Sequence, residues 1–261
     1  MKKILRFRVP LLLLAAVLMV VSVAVRTNPA EFFRPPLKEN PYSPADFRLE
    51  NGFLTCTAGK SLLGIDVSEY QKDIDWETVK AAGVEYVFIR VGWRGTESGS
   101  LNEDKRAQEY YAGAKAAGLQ IGAYFFSQAI SMAEAAEEAA FALQVVADWE
   151  MDLPMVYDWE YAGEEARTAD MDRRTLTNCT RVFCRRVEDG GLEPMVYFNG
   201  SQAQHLLYLE ELTEFPFWLA QYREGMDFPY RVDYWQYTGE GTVPGIDVPV
   251  DINLRLIYEK S

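Results

Sequence analysis

The 261-residue sequence has one histidine, His205, and three cysteines, Cys56, Cys179 and Cys184. A single histidine, set in a polar helical stretch where it reads as structural, all but removes Ser-His-Asp and Cys-His nucleophiles and multi-histidine zinc sites. Cys179 and Cys184 lie five residues apart in a helical pattern, too divergent for an easy disulfide, and Cys56 sits alone in a proline-rich stretch. The three therefore read as buried or idle thiols rather than a disulfide framework or a metal knuckle. Internal repeats are lacking. Positive charge is scarce where it would matter: residues 61–261 carry 17 Lys and Arg against 35 Asp and Glu, a net charge near −18. Such a field repels nucleic acid and anionic lipid and excludes nucleic-acid binding. A sugar polymer, held by stacking and hydrogen bonds, is compatible with it. Carboxylate chemistry is what remains.

The chain opens MKKILRFR, four basic residues without an acid, followed by the apolar run Val9–Val25. As a helix that run spans about 26 Å, near the lower limit for crossing a bilayer. A basic flank (1–8) before such a run (9–25) is an export signal whose basic end stays inside. It is read as an uncleaved transmembrane anchor, with Ser22-Val23-Ala24 as the alternative cleavage site that would make the protein secreted. Either way the remainder is expected outside the cytoplasm, at the bacterial cell surface. Residues 26–60, with prolines at 29, 35, 36, 41 and 44, read as an extended linker. Residues 61–261 are then the working domain, expected to act as a monomer.

Within 61–261, short apolar runs alternate with amphipathic segments. Strands are expected at Leu63–Val67, Val84–Val91, Leu119–Phe126, Pro154–Asp158, Glu193–Phe198, Phe217–Gln221, Val232–Tyr237 and Val250–Leu254, with helices between the first five. This predicts an α/β fold with parallel pairing, a modified (β/α) barrel of about eight strands whose last helices are reduced. Sites in such barrels lie at the strand C-termini. Candidate acids fall there: Asp66 near the end of the first strand, Asp158 and Glu160 at the end of the fourth, and Asp251 in the last. By the two-residue period, Asp66 shares a face with Gly64 and Asp251 with Asn253, away from apolar neighbours.

The fourth strand carries the densest signal, PMVYDWE over Pro154–Glu160. Val156, Asp158 and Glu160 share one face, the two acids about 6.5–7 Å apart at the backbone for a ~3.3 Å rise per residue. Like charges so placed raise each other's pKa, which is costly for stability. The same pairing suits acid/base chemistry at a sugar acetal, which needs one carboxyl protonated and one ionised. Arg90, near the end of the second strand, is placed either to pair with these acids or to form a separate salt bridge.

In order, GIDVSEYQ, PMVYDWE, WLAQY, YWQY and VDIN resemble the family 25 glycoside hydrolases, muramidases of lysozyme type, over Leu62–Ile257. The resemblance implies a modified α/β barrel without a cofactor or metal. It also implies cleavage of the β-1,4 bond between N-acetylmuramic acid and N-acetylglucosamine in peptidoglycan glycan strands. It implies Glu160 as general acid/base, an ionised Asp158 beside it, and Asp66 and Asp251 as supporting carboxylates. Tyr124, Tyr197, Trp218, Tyr222 and Gln236 are expected to touch substrate, whereas Trp235 and Tyr237 oppose Gln236 in parity. The family often has histidine after the third-strand tyrosine; here the run is Tyr124-Phe125-Phe126. Two alternatives stay open: a chitinase-like glycosidase on a related barrel, and a non-catalytic glycan-binding module.

Overall fold

Among the described residues, four of the five α-helices start at a side chain that accepts from its own first turn, the expected use of Asp, Ser and Asn at these positions. Asp75 caps α1 (Trp76–Ala81), Ser131 caps α3 (Met132–Val145), Asp172 caps α4 (Arg173–Asp189) and Asn199 caps α5 (Gly200–His205). The exception is α2 (Ala107–Ala116). These elements belong to a computed structural model that describes residues 35–258. The expected membrane segment lies outside that range. Among the described residues no helix is long and apolar enough to cross a membrane.

The strands are β1 (Phe47–Glu50), β2 (Phe53–Cys56), β3 (Lys60–Val67), β4 (Tyr86–Arg94), β5 (Leu101–Glu103), β6 (Gln120–Ser127), β7 (Met155–Trp159), β8 (Pro194–Asn199), β9 (Phe217–Ala220), β10 (Tyr234–Gly241) and β11 (Val250–Ile257). Pairing runs β3-β4-β6-β7-β8-β9-β10, all parallel, and β11 closes the ring antiparallel to both β10 and β3. The result is a closed eight-stranded barrel, with β5 added to the outside of β4. All-parallel pairing was the expectation, and β11 departs from it for a plain reason. Only residues 242–249 separate it from β10, fewer than the dozen or so a parallel crossover needs. The chain therefore turns straight back. That reversal brings the start of β11, not its end, to the mouth of the barrel, where Asp251 pairs in register with Asp66.

Two layers of side chains follow the two-residue period. Inside the barrel, Tyr86, Phe88, Val156, Met195, Trp218 and Tyr234 form one buried cluster. The close approach is possible because glycines face the rings. A Cβ on Gly64 would lie 2.2 Å from the Tyr86 ring, and one on Gly122 2.3 Å from Phe88. Outside, Ile65, Val87, Ile121, Tyr157, Phe198 and Leu219 pack under the helices in the main core. The amphipathic α4 buries Leu176, Cys179, Phe183, Cys184 and Val187 there, and all three cysteines are free thiols.

Residues 36–60 correct the linker reading. They belong to the same compact unit as the barrel, and β1 and β2 form an antiparallel hairpin. Phe47, Leu54 and Cys56 are buried. The Phe47 ring meets Trp235 edge-on at 4.9 Å, and Tyr42 stacks on Tyr258 at 5.7 Å. Among the described residues no helix follows β9, β10 or β11, so the outer faces of the last strands lack the usual cover. The hairpin supplies it. Prolines made the segment look extended, whereas the apolar residues at 47, 53 and 54 needed a partner the local sequence does not reveal.

Candidate active site

Strand parity aims the interior residues of seven strands at one mouth. From β3 comes Asp66, from β6 Tyr124 and Phe126, from β7 Asp158 with Glu160 just past its end, from β8 Tyr197, from β9 Trp218, from β10 Gln236 and from β11 Asp251. With Tyr222 on the rim, they line one hollow of about 250 Å³. All nine residues singled out in the sequence therefore meet there. Trp235 and Tyr237 do not: they point outward, where Trp235 packs on Phe47 and the Tyr237 hydroxyl accepts from the Leu54 N–H at 3.4 Å.

A polar chain fixes Asp66. Its Oδ2 accepts from Asn253 Nδ2 at 2.8 Å and Gln236 Nε2 at 2.9 Å. Asn253 Oδ1 in turn accepts from Trp218 Nε1 at 2.9 Å. Gln236 Oε1 accepts from the hydroxyls of Tyr197 and Tyr222, each at 3.0 Å. Each amide is used at both ends, which leaves one orientation for each. Asp158 is held differently. It is 6% exposed, and its Oδ1 has no hydrogen-bond partner among the described residues.

These surroundings set the protonation. Burial raises all four carboxyls, because the charged form loses its hydration. Asp66 rises only to about 6, since the two amide donors favour its ionised form. Asp251 is pushed up to about 9 by burial and by the charges of Asp66 and Glu160. Glu160 is raised by burial and by Asp66. Asp158 is raised well above the carboxylate range by burial, then by Glu160 and Asp66, with Arg90 pulling the other way. An ionised Asp158 was expected; burial and the charges of Glu160 and Asp66 work against that form here.

Arg90 does not pair directly with these acids. Its guanidinium binds Asp104 through Nε and a terminal nitrogen, both at 2.8 Å, and lies between the rings of Tyr70 and Trp93. A second hollow of about 540 Å³, lined by Tyr70, Arg90, Trp93, Phe126 and the 95–98 turn, shares Tyr70, Arg90 and Phe126 with the first. Sequence reading missed Ser68, Tyr70, Gln71, Phe126 and Asn253. Ser68 to Gln71 directly follow the first strand's C-terminal end, where barrel sites form, and Asn253 shares the face of Asp251. Both signals stood in the sequence.

Among known proteins, the chain resembles YegX of Escherichia coli (strain K12), 28% identical over 205 residues that cover 76% of this chain and 70% of that one. Lysozyme M1 of Streptomyces globisporus is 27% identical over 202 residues, covering 73% and 66%. Of solved structures, the modular autolysin LytC of Streptococcus pneumoniae, in complex with a synthetic peptidoglycan ligand, superposes with a TM-score of 0.66 at 25% identity. That match covers 74% of this chain and 46% of the autolysin, so the chain spans about half of that protein's length. The model for glycosyl hydrolases family 25 matches residues 65–246. Seven parallel strands closed by one antiparallel strand, with acids from three of them at the mouth, thus belong to a member of the family 25 glycosyl hydrolases.

Proposed function

We propose that the protein hydrolyses the β-1,4 bond between N-acetylmuramic acid and N-acetylglucosamine in peptidoglycan. It does so outside the cytoplasm, as a monomer tethered through Val9–Val25. The observation that carries the chemistry is the convergence of Asp66, Asp158, Glu160 and Asp251 in one hollow, with Asp158 Oδ1 lacking a donor. Two neighbouring hollows that share Arg90 suit a polymer, and the exposed rings of Tyr70 and Tyr222 (70% and 61%) offer faces on which sugars stack.

Burial and the charge of Asp66 raise the pKa of Glu160, the direction a general acid requires. Glu160 gives its proton to the glycosidic oxygen as the C1–O bond breaks. The carbonyl oxygen of the sugar's own 2-acetamido group attacks C1 from the opposite face, a substrate-assisted route that needs no protein nucleophile. The acetamido N–H is the donor that Asp158 Oδ1 lacks, so substrate binding favours the ionised form at this moment and offsets the positive charge of the cyclised intermediate. Water then adds at C1, giving a proton to the Glu160 carboxylate and reopening the ring with retained configuration.

Purified sacculi incubated with the protein should acquire new reducing ends that are N-acetylmuramic acid. Glu160→Gln should lower the rate by roughly 10²–10⁴-fold, the usual weight of a general acid, with an unchanged circular dichroism spectrum. Reducing ends of N-acetylglucosamine would overturn the bond assignment. Binding to sacculi without any new reducing end would overturn catalysis.

A further inference from the structure

Glu160 lies just beyond the paired part of β7, whose last partners are Ser127 for Trp159 and Tyr197 for Asp158. The sheet does not fix a residue placed there. Two buried side-chain amides reach it instead. Gln128 Nε2, in the loop after β6, donates to the carbonyl oxygen of Glu160 at 2.9 Å, and also to that of Ser127 at 2.9 Å. Gln202 Nε2, from α5, donates to the carbonyl oxygen of Trp159. Those two carbonyls belong to the peptide groups on either side of the Glu160 Cα, so the pair of amides pins the backbone before and after it.

Neither glutamine is free to turn. Both are buried, at 0% and 3% exposure. Gln128 Oε1 accepts from the Thr168 hydroxyl at 2.6 Å, and Gln202 Oε1 accepts from the Asn199 N–H at 2.6 Å. A flipped amide would set its oxygen against the backbone carbonyls that its nitrogen now serves. The backbone of Gln128 is tied as well: its N–H donates to Glu138 at 3.3 Å, and its carbonyl accepts from Arg167 at 3.3 Å. Arg167 is itself locked by a two-pronged pair with Glu134, at 2.7 and 2.9 Å. Two separate elements thus spend buried hydrogen-bonding capacity on one residue outside the sheet. Burying amides so fully is unfavourable unless every polar atom is satisfied.

We propose that Gln128 and Gln202 are positioning residues for the hydrolysis, clamping the two peptide groups that flank Glu160 and so holding its carboxyl in the cleft beside Asp66. This rests on the reading of Glu160 as the proton donor. A shift of about 1 Å in a catalytic group costs on the order of 100-fold in rate. A carboxyl released toward water also loses the burial that raises its pKa.

The test uses the full chain and a soluble glycan of alternating N-acetylglucosamine and N-acetylmuramic acid. Gln128→Met and Gln202→Met keep the side-chain length and remove the donor. Each should lower kcat about tenfold or more, leave KM within about twofold, and move the alkaline limb of the kcat–pH profile to lower pH. Thr168→Val, which frees only the far end of the Gln128 amide, should give the same changes in smaller measure, and decides the matter if the methionine variants do not fold. A lowered melting temperature with kcat and pH profile as in the parent would mean a purely structural role, and would overturn the proposal. Glu160→Gln is run in parallel. If it stays active, the proton-donor reading falls and the clamp with it. If it is inactive while the folded glutamine variants match the parent, only the clamp falls.

Discussion

Asp66 is the carboxyl whose ionised form the barrel supports best. Burial raises its pKa, but Asn253 and Gln236 donate to the same oxygen and hold the rise to about 6. After burial itself, its charge raises the pKa of Glu160, Asp158 and Asp251. One ionised acid therefore adds to the rise in its neighbours' pKa values, a division of roles set by hydrogen bonds rather than by residue type. Asn253→Ala removes one charge-assisted bond, worth about 1.5–3 kcal/mol, or about one to two pH units. The sign follows from which form loses the bond. Ionised Asp66 is destabilised, its pKa rises, and the acid limb of the kcat/KM profile should move to higher pH by that amount. An unmoved acid limb in the folded variant would remove Asp66 as the group that limits activity in acid. Fully buried Asn253 also takes the Trp218 indole N–H, so the melting temperature should fall as well, by the cost of leaving that donor unpaired.

At the scale of elements, what the sequence disclosed and what it hid divide along one physical line. Periodicity records which side of an element is buried, and that was enough to place Asp66, Asp158 and Asp251 on the interior faces of β3, β7 and β11. It does not record which element does the burying. Phe47 and Leu54 sit among prolines and charges, and their partners Trp235 and Tyr237 lie more than 180 residues away. Nothing local marks Phe47–Cys56 as a cover for the barrel. Likewise β11 reads as an ordinary strand, and only the short stretch 242–249 forces its direction. Gln128 and Gln202 were invisible for a related reason, since their contacts to the carbonyls of Glu160 and Trp159 join elements far apart in sequence. The hairpin makes a sharp prediction. A fragment of residues 36–261 should melt well above one of residues 61–261, because the shorter one exposes Trp235 and discards the buried Phe47. A Phe47→Ala change in the longer fragment should cost about 3–5 kcal/mol, the usual range for a buried phenylalanine, read as a shift in denaturant midpoint. Equal melting temperatures for the two fragments would show that the hairpin covers nothing of consequence.

For the molecule as a whole, the site is a cost carried by the rest of the fold. Buried carboxyls with raised pKa values hold their protons more tightly when folded than when unfolded, and linkage fixes the consequence. Below pH about 4, Asp251 is protonated in both states and contributes no penalty. Between its ordinary 3.8 and about 9, the unfolded chain releases a proton that the folded chain keeps, so stability falls as pH rises through that window. Asp66 adds the same effect over 3.8 to about 6. The excess of acids over residues 61–261, 35 against 17 basic side chains, adds self-repulsion of the same sign as they ionise. Asp251→Asn removes the titrating group and keeps the shape. It should melt above the parent at pH 8, by about 2–4 °C for each kcal/mol relieved in a domain this size, and the difference should close near pH 4. Activity should be lost in the same variant, because the strain belongs to the chemistry and not to the scaffold. A thermal-shift series from pH 4 to 9 measures this directly, and a constant difference across the series would mean that Asp251 ionises in the folded protein as freely as in the unfolded chain.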